Sequence, residues 1–321
     1  MSQQDDTNCK DAMRLSAKVL MDHFSRSLTF FQASEEAFRV LCTLPHQRES
    51  PCARKPRGAV QRVVVLDSSF NPPTRAHAQM AQSAILEAIS TLPSLSSDTK
   101  ASDSSRTRLV LLLAVNNADK APKPASFPQR LGMMDALGNA LRRRLMKENG
   151  VDVEVDLAVT TMPYFNKKAA AIERSGFYRA GEVGESPEQV FLAGFDTVIR
   201  IFNPKYYTDD VEAGTTPMKK ALGPFFESAR LRVTMRPDDE WGSEEQQEAY
   251  VKGLEDGKLE EVGGDAAWAK RVELVTGEGG VGVSSSKVRA MVEAGEKGLG
   301  DMVDEDVEEW IESEGLYHRE D

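Results

Sequence analysis

The feature that most constrains this chain is a string of eleven residues, Asp67-Ser68-Ser69-Phe70-Asn71-Pro72-Pro73-Thr74-Arg75-Ala76-His77, directly after the apolar run Val63-Val64-Val65-Leu66. A short unbroken apolar run suits a parallel strand covered on both faces. The stretch from Ala76 to Leu92 reads as a helix stopped by Pro93. The string is therefore a strand-to-helix turn. In a parallel sheet, ligands bind beyond the carboxyl ends of the strands, and a helix beginning there offers free N–H groups that favour a polyphosphate. His77 falls in the first helical turn, where its ring can donate to a phosphate oxygen. Asn-Pro-Pro alone needs no more than a turn-shaping role; the whole string, ending in His77, points to a ligand.

The rest of the chain repeats this alternation. Further strands are expected at Leu109–Val115, Val151–Val159, Gln189–Ala193, Leu231–Met235 and Val272–Val275. Helical stretches separate nearly all of them. The longest, Phe127 to Glu148, is expected to end in a basic turn, Arg142-Arg143-Arg144, that complements the helix dipole. Strands alternating with helices imply right-handed crossovers. The expected fold is α/β, Rossmann-like and doubly wound, with a mostly parallel sheet and helices on both faces. Ahead of it, residues 9 to 44 read as helical from the spacing of Leu15, Val19, Leu20, Phe24 and Leu28, and His46 to Gly58 as a basic, Pro-containing linker. Residues 1–58 are thus expected to form a helical extension with its linker, and 59–321 a single catalytic domain closed by acidic helices. Ser94 to Arg106 and Tyr178 to Pro187 read as surface loops, and Asp238 to Gly264 as an exposed acidic helix with loops. Asp304 to Gly315 reads as a short amphipathic helix with Val307, Trp310 and Ile311 on one face.

Composition removes several function classes. Apolar residues make up 40% of the 321, which is enough for a real core. No apolar run approaches the length of a bilayer span, and the polar, acidic start fits neither a secretory signal nor a transit peptide. The formal charge is −11, with the acid excess mainly after Asp238, which argues against a surface for long nucleic acid. Neither a membrane nor a nucleic acid is an expected partner. The three cysteines, Cys9, Cys42 and Cys52, form no Cys-x-x-Cys, and there are four histidines. A disulfide framework and a zinc site are both disfavoured, and a reducing compartment, cytosol or nucleus, is expected.

A second motif lies near the other end, Val283-Ser284-Ser285-Ser286-Lys287-Val288-Arg289, after a strand and a glycine-rich turn. Hydroxyls of Ser284, Ser285 and Ser286 can cap a helix or bind phosphate, and Arg289, one turn further, can reach the same anion. Alone, this is equally a capped helix with a surface arginine. A third piece, Phe191-Leu192-Ala193-Gly194-Phe195-Asp196, follows a central strand. Gly194 would let the backbone approach a nucleotide, and Asp196 would accept from a ribose hydroxyl, although an isolated Gly-x-Asp also serves as a helix cap. Gly277 to Gly282 fits Gly-x-Gly-x-x-Gly, but no βαβ unit with a terminal acid follows it. It reads as a loop, which disfavours an oxidoreductase. No P-loop is present.

The first string resembles the first signature of the nicotinamide mononucleotide (NMN) adenylyltransferases, Gly-Ser-Phe-Asn-Pro-x-(His or Thr)-x-x-His, at Ser69, Phe70, Asn71, Pro72, Thr74 and His77, with Ser68 in place of the glycine. The second resembles their Ile-Ser-Ser-Thr-x-x-Arg, and Gly194-Phe195-Asp196 their Gly-x-Asp. The resemblance runs from Arg62 to Val292 and, with the run Arg200 to Tyr207, looks closest to a divergent fungal-type branch. It implies transfer of AMP from ATP to NMN, with Mg²⁺ bound along with ATP. Nicotinic acid mononucleotide or another phosphate-bearing acceptor is the alternative. By the same resemblance His77, Lys120 and Arg289 would meet the developing charge. Ser69, Phe70, Asn71, Thr74, Arg130, Gly194, Asp196, Ser284, Ser285 and Ser286 would bind the nucleotides, with Lys123 a weaker candidate beside Lys120. The tryptophan that the family stacks on nicotinamide has no counterpart near Val159 to Phe165, where Tyr164 and Phe165 stand. That absence and Ser68 leave open a protein of another class, one that binds nucleotide for regulation without turnover.

Overall fold

A computed structural model describes residues 15–92, 104–115, 124–179, 184–208, 211–212, 214–236, 241–277, 283–296 and 298–318. Seven strands form one sheet: β1 (Phe38–Leu44), β2 (Arg62–Asp67), β3 (Thr107–Ala114), β4 (Glu154–Thr160), β5 (Glu188–Gly194), β6 (Ala229–Thr234) and β7 (Val272–Val275). Their order is β1-β4-β3-β2-β5-β6-β7. Only β1 is antiparallel to its neighbour, β4; the others pair in parallel. From β2 the chain winds outward to β3 and β4, then returns to β5 on the other side of β2 and winds outward to β6 and β7. The crevice at the carboxyl ends of β2 and β5 is thus the topological switch point, where doubly wound sheets bind ligands.

Helices cover both faces. On one lie α1 (Ala17–Gln32), α2 (Arg75–Ser90), α3 (Phe127–Asn149), α8 (Ser285–Glu293) and α9 (Glu305–Ser313); their buried residues join Val64, Leu66, Leu109, Leu111 and Leu192 of the sheet. On the other lie α4 (Phe165–Arg174), α5 (Phe195–Ile201) and α6 (Pro217–Ser228), packed on Val63, Val65, Val110, Phe191 and Leu231; α7 (Glu244–Gly253) adds its partly buried Tyr250 to that side. Central strands buried on both faces explain the unbroken apolar runs in the sequence. Among the described residues, no helix is long and apolar enough to cross a membrane.

Three expectations are corrected. The helix expected to reach residue 44 ends at Gln32, and Phe38–Leu44 is the edge strand β1, paired from Phe38 opposite Thr160 to Leu44 opposite Val155 with a register shift between Val40 and Cys42. Helical burial of Leu20, Phe24, Leu28 and Phe31 stops where Ser34-Glu35-Glu36 interrupts it, and the short apolar run beyond is too brief for its period to be read. Tyr178, expected in a surface loop, is buried and donates through its hydroxyl to Asp156 Oδ2 at 3.0 Å. Asp156 also accepts from Thr43 Oγ1 at 2.5 Å and from Arg108 Nη1 at 3.0 and 3.1 Å. A carboxylate inside the core requires this full set of partners. Finally, Arg142, Arg143 and Arg144 do not end α3, which runs to Asn149 and stops at Gly150 with φ 67°. They pair instead with Asp152, Asp306 and Asp304. Two of these three arginines therefore anchor the acidic tail. There Val307, Trp310 and Ile311 are buried as expected, and Trp310 Nε1 donates to Gln129 Oε1 at 2.8 Å.

Candidate active site

The turn after β2 is strained and tightly held. Phe70, fully buried, has φ 45°, a conformation costly for a bulky residue. Thr74 caps α2, and His77 takes the place usually filled by Glu or Gln in a capping box: the Thr74 backbone N–H donates to His77 Nδ1 at 3.0 Å. That bond fixes the tautomer. Nδ1 is the acceptor, so in the neutral ring Nε2 carries the hydrogen, and it lies 2.9 Å from Ser68 Oγ. Desolvation pushes the His77 pKa down to about 4, so the ring is neutral at physiological pH.

The second motif docks onto the first. Ser284 caps α8 by accepting from the Lys287 N–H. Ser285 Oγ donates to the Pro72 carbonyl at 2.7 Å, and Arg289 Nη1 donates to the Asn71 carbonyl at 2.7 Å, while its Nη2 reaches Ser286 Oγ at 3.1 Å. Two segments more than 200 residues apart therefore form one structure. Arg130 joins from α3, with Nη1 donating to the Ser69 carbonyl at 3.4 Å and Nε to Ala125 at 3.0 Å.

A cavity of about 1330 Å³ opens over the carboxyl ends of β2, β5 and β6. Among the expected site residues Thr74, His77, Gly194, Asp196, Ser284 and Ser285 line it. Ser69, Phe70, Asn71, Arg130, Ser286 and Arg289 do not; they build and brace the turn from behind. Lys120 and Lys123 lie outside the described residues, as do residues 278–282 of the glycine-rich loop. At Gly194 a Cβ would stand 2.8 Å from Asp196 Oδ1, so a side chain there would move that carboxylate. Asp196 pairs with Arg200 at 3.3 Å. Among the described residues, no group of three or more His, Cys, Asp or Glu side chains could hold a metal ion.

The structure adds residues that the sequence reading missed. Asp67, at the end of β2, lines the cavity and is paired with the buried Lys168 of α4; burial pushes its carboxyl up, and Lys168 pulls it back. Tyr206 and Tyr207 join Tyr164 and Phe165 as an aromatic wall on the α4–α6 side. The Tyr207 hydroxyl donates to the Ile201 carbonyl at 2.6 Å, and burial holds its pKa above the usual tyrosine value. Tyr317, at φ 68°, donates to Asn71 Oδ1 at 2.9 Å. The acidic tail thus reaches the first signature. The only local hint was aromatic: Tyr206-Tyr207 stands in the run already singled out, whereas the Asp67–Lys168 and Asn71–Tyr317 pairings join residues too distant in sequence for spacing to reveal.

No family model matches the chain. A Schizosaccharomyces pombe protein described as "Putative nicotinamide mononucleotide adenylyltransferase" is 30% identical over 237 residues, which cover 73% of this chain and 77% of that protein. Among solved structures, Plasmodium falciparum nicotinic acid mononucleotide adenylyltransferase complexed with NaAD aligns over 80% of this chain and 97% of its own, at 13% identity and a TM-score of 0.44. The same enzyme complexed with APC aligns with the same coverage and TM-score at 12% identity.

Proposed function

This chain belongs to the nicotinamide mononucleotide adenylyltransferase family, and we propose that it transfers AMP from ATP to NMN, giving NAD and pyrophosphate. The observation that carries this reading is the union of the two signatures: Ser285 and Arg289 are bonded to the Asn71-Pro72 turn whose helix presents His77 to the cavity.

The triphosphate lies along the start of α2, at the positive end of its dipole, against His77 and the Ser284–Ser285 segment. The acceptor's phosphate attacks the α-phosphorus, the new P–O bond forms, the bond to the β-phosphate oxygen breaks, and pyrophosphate leaves with the electron pair. The attacking oxygen is anionic at neutral pH and needs no general base. The enzyme's work is to align two anions and meet the charge that grows between them. His77 suits this as a neutral donor: its Nδ1 is occupied by Thr74, and its Nε2–H is exchanged from Ser68 Oγ to a phosphate oxygen. Arg289 and Arg130 add positive charge behind the turn and fix its carbonyls. Mg²⁺ enters on the ATP phosphates as part of the substrate, retaining several waters. On the acceptor side, Tyr164, Phe165, Tyr206 and Tyr207 offer ring faces for the pyridine base where relatives use a tryptophan.

The test is an acceptor panel. With ATP and Mg²⁺, the purified chain is expected to form NAD from NMN, with one pyrophosphate per dinucleotide. Preference for nicotinic acid mononucleotide would move the acceptor and keep the chemistry. Nucleotide binding with no pyrophosphate from any acceptor would leave a regulatory protein.

A further inference from the structure

The cavity contains a cation that the proposed reaction does not use. Arg232, on β6, is 8% exposed and lines the cavity, and its Nε has no hydrogen-bond partner. Among the described residues its charge partner is Glu273, opposite it on β7, at 3.8 Å, and that carboxylate already accepts from Arg230 Nη1 at 2.8 Å. Among the described residues, the surrounding ion pairs link Arg62, Arg230, Arg232 and Arg271 with Glu87, Glu188 and Glu273, four cations to three anions. A buried guanidinium held this weakly is costly unless a ligand completes it.

The position of Arg232 selects the kind of ligand. Alternate residues of a strand share a face. Arg230 Nη2 reaches Glu87 of α2 at 2.7 Å, so Arg230 and Arg232 both face α2. Arg232 rises one strand repeat from Arg230, which sets it beside the middle of α2 rather than its start. At about 1.5 Å per residue, that level is roughly 10 Å from the phosphate-binding first turn, a nucleoside's reach rather than a phosphate's. The walls there are mostly apolar, with Met80, Leu86, Leu192, Val275 and Val283, and carry Gln82 and Ser83 of α2 among them. A mainly apolar slot with one guanidinium, set well away from the first turn of α2, fits the flat base of a nucleotide with its ring acceptors rather than its phosphates.

We propose that Arg232 reads the base of the donor nucleotide, its guanidinium donating to a ring nitrogen of a purine lodged between α2 and β6. The inference rests on the adenylyltransferase reading and gives that site a specificity-determining residue. A hydrogen bond from a charged donor in such a slot makes base recognition depend strongly on Arg232.

The experiment is calorimetric titration of the full chain and of Arg232→Met and Arg232→Lys with ATP and with inorganic tripolyphosphate, both with Mg²⁺. Met preserves length and removes an incompletely paired buried charge, so the melting temperature should hold or rise. Arg232→Met is expected to weaken ATP on the order of tenfold or more and to leave tripolyphosphate affinity unchanged. Arg232→Lys should fall between, since a point charge cannot reproduce the fork. A second arm uses the 1-, 3- and 7-deaza analogues of ATP: one should bind wild type as weakly as ATP binds Arg232→Met. The proposal is overturned if Arg232→Met binds ATP like wild type, if it loses tripolyphosphate to the same degree, or if all three analogues match ATP. Wild type that binds no ATP at all would sink the enzyme reading and this inference together, an outcome distinct from those three.

Discussion

Replacing His77 by alanine tests local structure, electrostatics and catalysis in one variant. The substitution removes the acceptor of the Thr74 N–H, and loss of such a cap costs about 1 kcal/mol at neutral pH. It also removes a group whose pKa falls from 6.5 to about 4 on folding. Between those values the unfolded chain binds more protons than the native one, so the contribution of His77 is fully present above the unfolded pKa and is lost as pH falls toward the folded one. Through that window the wild type loses roughly 3 kcal/mol that the variant does not. The two stability curves should therefore cross at about pH 6, with the variant the more stable on the acid side. Urea unfolding of both proteins across the acid range measures this directly. On the catalytic side, loss of one donor to the transition state should lower turnover by about 10²- to 10³-fold. Parallel stability curves would refute the desolvation of His77, and full turnover in a folded variant would refute its part in the reaction.

Other outcomes follow from the packing. In Gly132→Ala, the new Cβ would lie 2.0 Å from Trp310 Cζ2, so the tail must shift; a loss of about 1–3 kcal/mol is expected from the denaturation midpoint. Because that tail carries Tyr317 to Asn71, activity should fall as well. In Gly194→Ala, the Cβ would displace the Asp196 carboxylate, and KM for ATP should rise on the order of tenfold with the melting temperature little changed, as steady-state kinetics would show. In Asp156→Ala, Arg108 would lose its core carboxylate, and denaturation should report a loss of about 3–5 kcal/mol, while an unchanged midpoint would contradict the buried network.

What the sequence revealed followed the range of the interactions. The central strands were plain because residues such as Val63–Leu66 are buried on both faces and leave an apolar run. The turn after β2 was plain because its residues are contiguous and its histidine caps the helix that it opens. The edge strand β1 was lost because seven residues of mixed apolar character fit helix and strand alike until β4 supplies a partner. Tyr178 was lost inside a polar loop because its burial depends on Asp156, on another strand. In the site, Asp67 with Lys168 and Asn71 with Tyr317 are meetings produced by the fold. Arg232 alternates with apolar residues along β6, a pattern that reads as an outward-facing charge until Arg230, on the same face, is seen to pair with Glu87 of α2. Arg289, expected to meet the developing charge, donates to the Asn71 carbonyl, a pairing that joins it to the turn across more than 200 residues.

The most direct measurement of the central claim is the fate of labelled phosphorus. The chain is incubated with NMN, Mg²⁺ and ATP labelled either at the α- or at the γ-phosphorus. AMP transfer requires the α label to appear in the dinucleotide and the γ label to leave in pyrophosphate, at equal rates. Release of the γ label as inorganic phosphate, or an α label that stays in adenosine nucleotides while NMN is untouched, would contradict it.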